Sequence, residues 1–168
     1  NMICISSGGK LEELAKMNKT PHILIPKGIQ PRLSTAYQFV AMLNVLQNLE
    51  IIKNQEKDIK LTIKNLKTSA EKIENAGKDL AKKIKDKIPI IYSSQEMFCI
   101  AEKWKTDINE NAKTHAFYNT FSEFNHNEIC AYENTGDNFY IIIINDERDH
   151  PRIKKRIEVF KKLIRSYN

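Results

Sequence analysis

Apolar residues along this chain follow two alternating patterns. Short runs rich in aliphatic and aromatic residues occupy positions 2–5, 22–25, 88–92, 115–118 and 139–144. Runs of this length between turn-forming residues predict five strands, the last of them buried on both faces because it consists entirely of β-formers. Elsewhere the apolar residues recur three or four apart. That spacing predicts helices over 10–17 (Leu11, Leu14, Ala15), 34–52 (Tyr37, Val40, Met42, Leu43, Leu46, Leu49) and 97–111, with Ile100, Ala101, Trp104 and Ile108 on the inner face. Between 53 and 87, Ile59, Ile63, Leu66, Ile73, Leu80 and Ile84 predict two surface-covering helices hinged near Ala76-Gly77. Residues 119–133 read as a loop with one or two helical turns. A last helix starts at Pro151, a residue suited to the first helical position, and runs to about 166. Residues 26–32 are not helical, because Pro31 biases Gln30 toward extended geometry and Gly28 breaks the pattern.

Strand, turn, helix and strand within the first 25 residues form a βαβ unit, which implies parallel pairing. Continued alternation of strands and helices predicts an α/β fold, a three-layer αβα sandwich of flavodoxin type with a mainly parallel five-stranded sheet. The chain opens directly on a strand and stops at a helix end, where another parallel strand is expected.

Composition narrows the function. The 168 residues suit one domain, or one and a half. No apolar run approaches the ~20 residues needed to span a bilayer, and the first residues show no basic region followed by an apolar core, so no secretory leader is expected. The net charge of +6 is unevenly placed, with +5 in residues 53–87, +6 in 152–165 and −5 in the remainder. The basic stretches interleave acids at helical spacing (Glu56 with Lys60, Glu74 with Lys78), as a solvated face does. They hold a single aromatic, Phe160, so a nucleic-acid partner is not expected; nor is a membrane. Cys4, Cys99 and Cys130 are odd in number and widely spaced, which fits three small buried residues in a reducing compartment, the cytoplasm. His22, His115, His126 and His150 stand at no ligand-type spacing from them, so no metal site is expected.

Three clusters concentrate groups that do chemistry. Ser6-Ser7-Gly8-Gly9, between a strand and a helix start, offers hydroxyls and backbone amides to an anion such as phosphate, although any tight strand-to-helix turn also favours small residues. Arg32, next to Pro31 and near a helix start, is suited to stabilising negative charge, or is an ordinary surface arginine. Glu110, at a helix end, and His126, within Glu123-Phe-Asn-His-Asn-Glu128, supply a carboxylate and an imidazole. A carboxylate can move a carbon-bound proton beside a carbonyl while an imidazole handles an oxygen-bound one; a solvated helix residue and a loop histidine are the plain alternatives.

The segments SSGGKLEELA, PHILIPKGIQPR, IPIIYSS, WKTDINENAK, AFYNTF, EFNHNEI and DERDHPRIKKRI occur in this order. Together they resemble the bifunctional phosphoglucose/phosphomannose isomerases of the sugar-isomerase (SIS) superfamily, over nearly the whole chain and least over 53–87. The resemblance implies an SIS-like fold and interconversion of glucose 6-phosphate or mannose 6-phosphate with fructose 6-phosphate through a cis-enediol, without metal or organic cofactor. It implies that Glu110 is the base acting between C1 and C2, and that Arg32 stabilises the enediolate. It further implies that His126 assists ring opening from the neighbouring subunit of a homodimer, and that Ser7, Gly8 and Gly9 belong to the phosphate pocket.

The chain also departs from that family. Members have about twice this length and two SIS subdomains. Their phosphate loop of Ser-Tyr-Ser-Gly-Asn-Thr type has no counterpart here, nor does a terminal strand and helix carrying a site lysine. Ser122 and Phe124 replace the usual Pro and Leu. The expectation is a carboxy-terminal half in which residues 1–25 are the tail of a preceding SIS subdomain, or a first βαβ unit, and 26–168 form the carboxy-terminal SIS-like domain. A non-catalytic SIS module that binds a phosphosugar and regulates a partner is the alternative.

Overall fold

The computed structural model describes residues 2–134, 136 and 138–167, with side chains to 164. The chain divides into two compact units, Asn1–Lys72 and Ile73–Asn168. In the first, β1 (Cys4–Ser6), α1 (Gly9–Met17) and β2 (His22–Leu24) make the expected βαβ unit, with Cys4 opposite His22 and Ser6 opposite Leu24 in parallel register. A 3₁₀ turn at Pro31–Leu33 leads into α2 (Thr35–Asn48), after which Glu50 takes a left-handed conformation (φ 57°) that stops the helix short of the predicted residue 52.

α3 (Glu56–Ile84) is one continuous helix of 29 residues, not two hinged at Ala76-Gly77. A glycine inside a helix costs about 1 kcal/mol relative to alanine, which weakens a helix without breaking it. Three ion pairs at i,i+3 or i,i+4, Lys60–Glu56, Lys78–Glu74 and Lys82–Asp79, run along its exposed surface.

The second unit is a three-layer sandwich. β3 (Ile88–Ser93) lies at the centre of a parallel sheet, flanked by β4 (Phe117–Thr120) and β5 (Phe139–Ile143). Side chains of β3 alternate between the faces, as the period of two requires. Ile91 packs with Ala101 of α4 (Phe98–Asp107) and with Ala116 on one face. On the other, Tyr92 packs with Phe121 and Phe124 of α5 (Phe121–Phe124), with Tyr132, and with Ile157 and Phe160 of α6 (Pro151–Tyr167). Ile153, Ile157, Phe160 and Ile164 form the inward stripe of α6 at helical spacing, and Pro151 is its first residue, as predicted. The Tyr92 and Phe124 rings lie 4.3 Å apart and those of Phe124 and Phe160 4.5 Å apart, so this aromatic cluster binds sheet to helices.

Several expectations need correction. The five strands form two parallel sheets, of two and three strands, rather than one. Strand-helix alternation fixes the parallel sense of a pairing but not which strands share a sheet, and α2 and α3 intervene between β2 and β3. β5 is an edge strand, so its residues are half-buried or exposed instead of fully buried. On α4, Ile100 and Trp104 are exposed and only Ala101 is buried, because the close approach of helix to sheet at Ile91 admits a small residue. Cys4 alone is buried; Cys99 and Cys130 are exposed. Among the described residues no helix is long and apolar enough to cross a membrane.

Gly77 sits on α3 with nothing within 4 Å of the position its Cβ would occupy. Gly77→Ala therefore raises stability by about 0.5–1 kcal/mol, measured as a higher urea midpoint at unchanged slope; a lower midpoint means that α3 bends at this residue in solution.

Candidate active site

The residues singled out by chemistry fall in separate places. Glu110 lies on a π-helical turn, Ile108–Ala112, that continues α4. Such a turn leaves backbone carbonyls without their usual helical donors, and the neighbours of Glu110 supply replacements. Asn109 Nδ2 donates to the Thr114 carbonyl at 2.8 Å, Asn111 Nδ2 to the Asp107 carbonyl at 2.9 Å, and Lys113 Nζ to the Glu110 carbonyl at 2.5 Å. Lys113 itself is left-handed (φ 56°, ψ 31°), which turns the chain out of the helix and toward β4. Alternate residues of Asn109-Glu-Asn-Ala-Lys113 thus fix the turn and leave the Glu110 side chain exposed. Beside it lies an open hollow of about 480 Å³ lined by Asn109, Lys113, Thr114 and His115. Lys113 and His115 bring an ammonium and an imidazole to that hollow, and His115 had no motif to mark it.

His126 lies beyond the other end of β4, after α5, and its ring is exposed. The turn before β4 carries Glu110 and the turn after it carries His126. The strand between them covers about 10 Å at ~3.3 Å per residue. One copy of the chain therefore holds the carboxylate and the imidazole at opposite ends of the sheet and does not bring them together.

The remaining candidates belong to the first unit. Arg32 is half-buried in the 3₁₀ turn Pro31–Leu33, with Gln30 extended before it (φ −63°, ψ 140°) as the proline requires. Ser34, buried behind the turn, donates to the Pro31 carbonyl at 2.8 Å. Ser7, Gly8 and Gly9 form the turn from β1 into α1. Gly8 has φ 122°, a conformation that side-chain-bearing residues rarely adopt, and the ends of the Lys27 and Glu12 side chains lie 3.0 and 3.1 Å from where a Cβ would stand. The Gly8 amide donates to Ser6 Oγ at 3.3 Å, and Ser6 Oγ is 2.9 Å from His22 Nε2. One amide that an anion would take is thus engaged, and Glu12 places a carboxylate beside the Lys27 ammonium. The hydrogen bond and charge of Lys16 lower the Glu12 pKa, which keeps that carboxylate ionised.

Sequence reasoning missed a polar cluster inside the sandwich. The Tyr92 hydroxyl donates to Glu128 Oε2 at 2.9 Å and lies 2.9 Å from the Tyr132 hydroxyl, while Asn119 Nδ2 donates to Glu128 Oε1 at 2.5 Å. Beside it is a cavity of about 270 Å³ lined mainly by Ile90, Phe117, Ala131 and Phe139. Burial first, then the Tyr132 hydroxyl and the Glu128 charge, push the Tyr92 phenol well above the ordinary tyrosine range; burial raises Tyr132 as well. The available signal was Tyr92 itself, a hydroxyl in an otherwise apolar strand that needs a partner once buried.

Known proteins resemble both the second unit and the chain as a whole. The family model "Bacterial phospho-glucose isomerase C-terminal SIS domain" matches residues 73–168. A bifunctional phosphoglucose/phosphomannose isomerase of Aquifex aeolicus is 36% identical over 98% of this chain and 50% of its own length, and one of Caldicellulosiruptor bescii is 37% identical over 98% and 52%. A D-glucosamine-6-phosphate 4-epimerase of Sulfolobus acidocaldarius is 32% identical over 85% of this chain and 45% of its own. The chain spans about half the length of the curated relatives it matches. Among solved structures, a protein assigned as a phosphosugar isomerase from Clostridium difficile superposes with a TM-score of 0.57 at 15% identity, covering 95% of this chain and 55% of that one. At that identity the likeness concerns the fold alone.

Both phenols hold their protons above the ordinary range in the folded chain and release them near pH 10 once unfolded, so stability is complete below about pH 10 and declines as pH rises further. In a titration followed at 295 nm, Tyr92 and Tyr132 ionise only with unfolding, and Tyr92→Phe removes one such late group. Ionisation of all six tyrosines in the folded chain contradicts the buried pair.

Proposed function

The chain belongs to the bacterial phospho-glucose isomerase C-terminal SIS domain family, and on that premise we propose that it supplies the reacting groups of an aldose–ketose isomerase acting on hexose 6-phosphates. The substrates are glucose 6-phosphate or mannose 6-phosphate and fructose 6-phosphate. Support for the substrate class comes from the names of the relatives, isomerases and a 4-epimerase alike, which all designate phosphosugar enzymes. The cytoplasm is the proposed compartment.

The observation that carries this reading is Glu110, exposed on a turn fixed by its own neighbours beside an open hollow. A carboxylate so held can take the C2 proton of an open-chain aldose. The electrons of the broken C–H bond then form the C1=C2 double bond, and the carbonyl oxygen becomes the enediolate oxygen. The proton of the C2 hydroxyl passes to the C1 oxygen, C2–O becomes the new carbonyl, and return of the carbon-bound proton to C1 gives the ketose, with no external oxidant or reductant needed. Arg32 would stabilise the enediolate, an imidazole would exchange protons at the ring and anomeric oxygens during opening, and Ser7, Gly8 and Gly9 would contact the phosphate. That imidazole is assigned to His126 of a second copy in a homodimer, a choice supported by the separation of Glu110 and His126 across β4.

Phosphate binding is used to position the reacting carbons. Without the phosphate loop of its relatives, the chain alone is expected to have negligible turnover, and addition of the amino-terminal half of an isomerase relative is expected to restore it. In that assembly, solvent-hydrogen exchange at C2 of glucose 6-phosphate and at C1 of fructose 6-phosphate is followed by NMR. Glu110→Gln slows it by roughly 10²–10⁴-fold. Exchange unaffected by Glu110→Gln removes Glu110 as the base; binding of the phosphosugar with no exchange at all favours the non-catalytic module.

A further inference from the structure

His126 occupies a turn whose other side chains are tied to the body of the fold. Asn125 Oδ1 accepts from Arg156 Nη1 of α6 at 3.0 Å. Asn127 Nδ2 donates to Glu123 Oε1 at 2.7 Å, and Asn127 Oδ1 accepts the Glu128 amide at 2.6 Å. Glu128 reaches back to the sheet, where Tyr92 of β3 and Asn119 of β4 each donate to one of its carboxylate oxygens. In this four-residue turn the His126 ring alone has no hydrogen-bond partner among the described residues, and it faces solvent.

A carboxylate at 128 takes both donors at once and adds its charge to each bond. Tyr92 has one proton to give; with that proton directed at Glu128, Tyr132 donates to the Tyr92 oxygen in turn. Asn119 is fixed as a donor, because its Oδ1 already accepts the Thr120 amide at 2.8 Å and turning the amide over breaks that bond. A glutamine at 128 offers one acceptor oxygen, to Asn119, so Tyr92 must turn its proton from 128 to Tyr132 and both bonds lose their charge assistance. An aspartate falls a methylene short. Charge-assisted bonds from two adjacent strands of the sheet therefore hold the base of the turn.

We propose that Glu128 is a positioning residue, clamped by Tyr92 and Asn119 so that the turn presents His126 in one fixed place. Its catalytic consequence rests on the assignment of His126 to ring opening; the structural half does not. The test has one arm for each. In the chain by itself, backbone ¹⁵N order parameters of residues 125–127 are near 0.85 in the wild type and fall below about 0.6 in Glu128→Gln, while those of α4 and β3 stay unchanged. Tyr92→Phe keeps the ring in the core and removes only the donor, so it gives an intermediate loss of order and serves if Glu128→Gln does not fold. Unchanged order of the turn in a folded variant overturns the proposal.

The second arm uses the chain assembled with an isomerase amino-terminal half. Glu128→Gln lowers kcat on glucose 6-phosphate, which must open its ring, by more than 10-fold with little change in KM. Exchange at C2 of erythrose 4-phosphate, which cannot close a ring because its terminal hydroxyl is esterified, falls less than about 2-fold. Equal losses on both substrates overturn the link to ring opening. A turn that loses order in a protein indifferent to Glu110→Gln upholds the clamp and removes the isomerase reading instead.

Discussion

The parallel pairing of β3 with β4 constrains everything else in the second unit. Two parallel neighbours cannot be joined by a tight turn. The chain must leave the end of one strand and return along the sheet before it can start the next. Here α4 makes that return, and the π turn carrying Glu110 closes it, at the starting end of β4. The residues that follow β4 then emerge at its far end and carry His126. The connection that builds the sheet thus separates the two groups proposed for proton transfer by the length of β4, and the proposed second copy is what would bring an imidazole of this kind to Glu110.

Around that constraint the fold separates rigidity from chemistry. The aromatic cluster of Tyr92, Phe121, Phe124 and Phe160 fixes the helical layer on one face of the sheet, and the small residues Ala101 and Ala116 let α4 approach on the other. Both side chains proposed to react lie outside these cores, on turns held by polar neighbours: Asn109, Asn111 and Lys113 around Glu110, and Asn125, Asn127 and Glu128 around His126. The density of amide side chains beside each is explained by the backbone and strand groups that these amides satisfy. Each turn can then leave one side chain exposed, Glu110 in the first and His126 in the second.

Much of the layout was legible from spacing. The βαβ start, Pro151 opening α6 and the extended Gln30 before Pro31 all follow from local rules, and the structure has them. Other features depend on long-range packing. Nothing local says that β2 and β3 belong to different sheets, or that Gly77 sits inside one long helix. The exposure of Trp104 and Ile100 follows from how closely α4 approaches the sheet, which a helical period does not reveal. For the site, the motifs mark Glu110 and His126 as residues of interest. Their placement at opposite ends of β4, and the clamp of Tyr92 and Asn119 on Glu128, depend on strands far apart in sequence.

A site shared between copies makes a demand that no single-copy arrangement makes. Glu110→Gln and His126→Gln, each inactive alone when assembled with the amino-terminal half of an isomerase relative, are mixed under conditions that let subunits exchange. Half of the resulting dimers are mixed, and each of these holds one site with both groups intact, so activity returns to about a quarter of the wild-type value. If the mixture stays inactive although mass spectrometry shows mixed dimers, both groups act within one copy and the account fails.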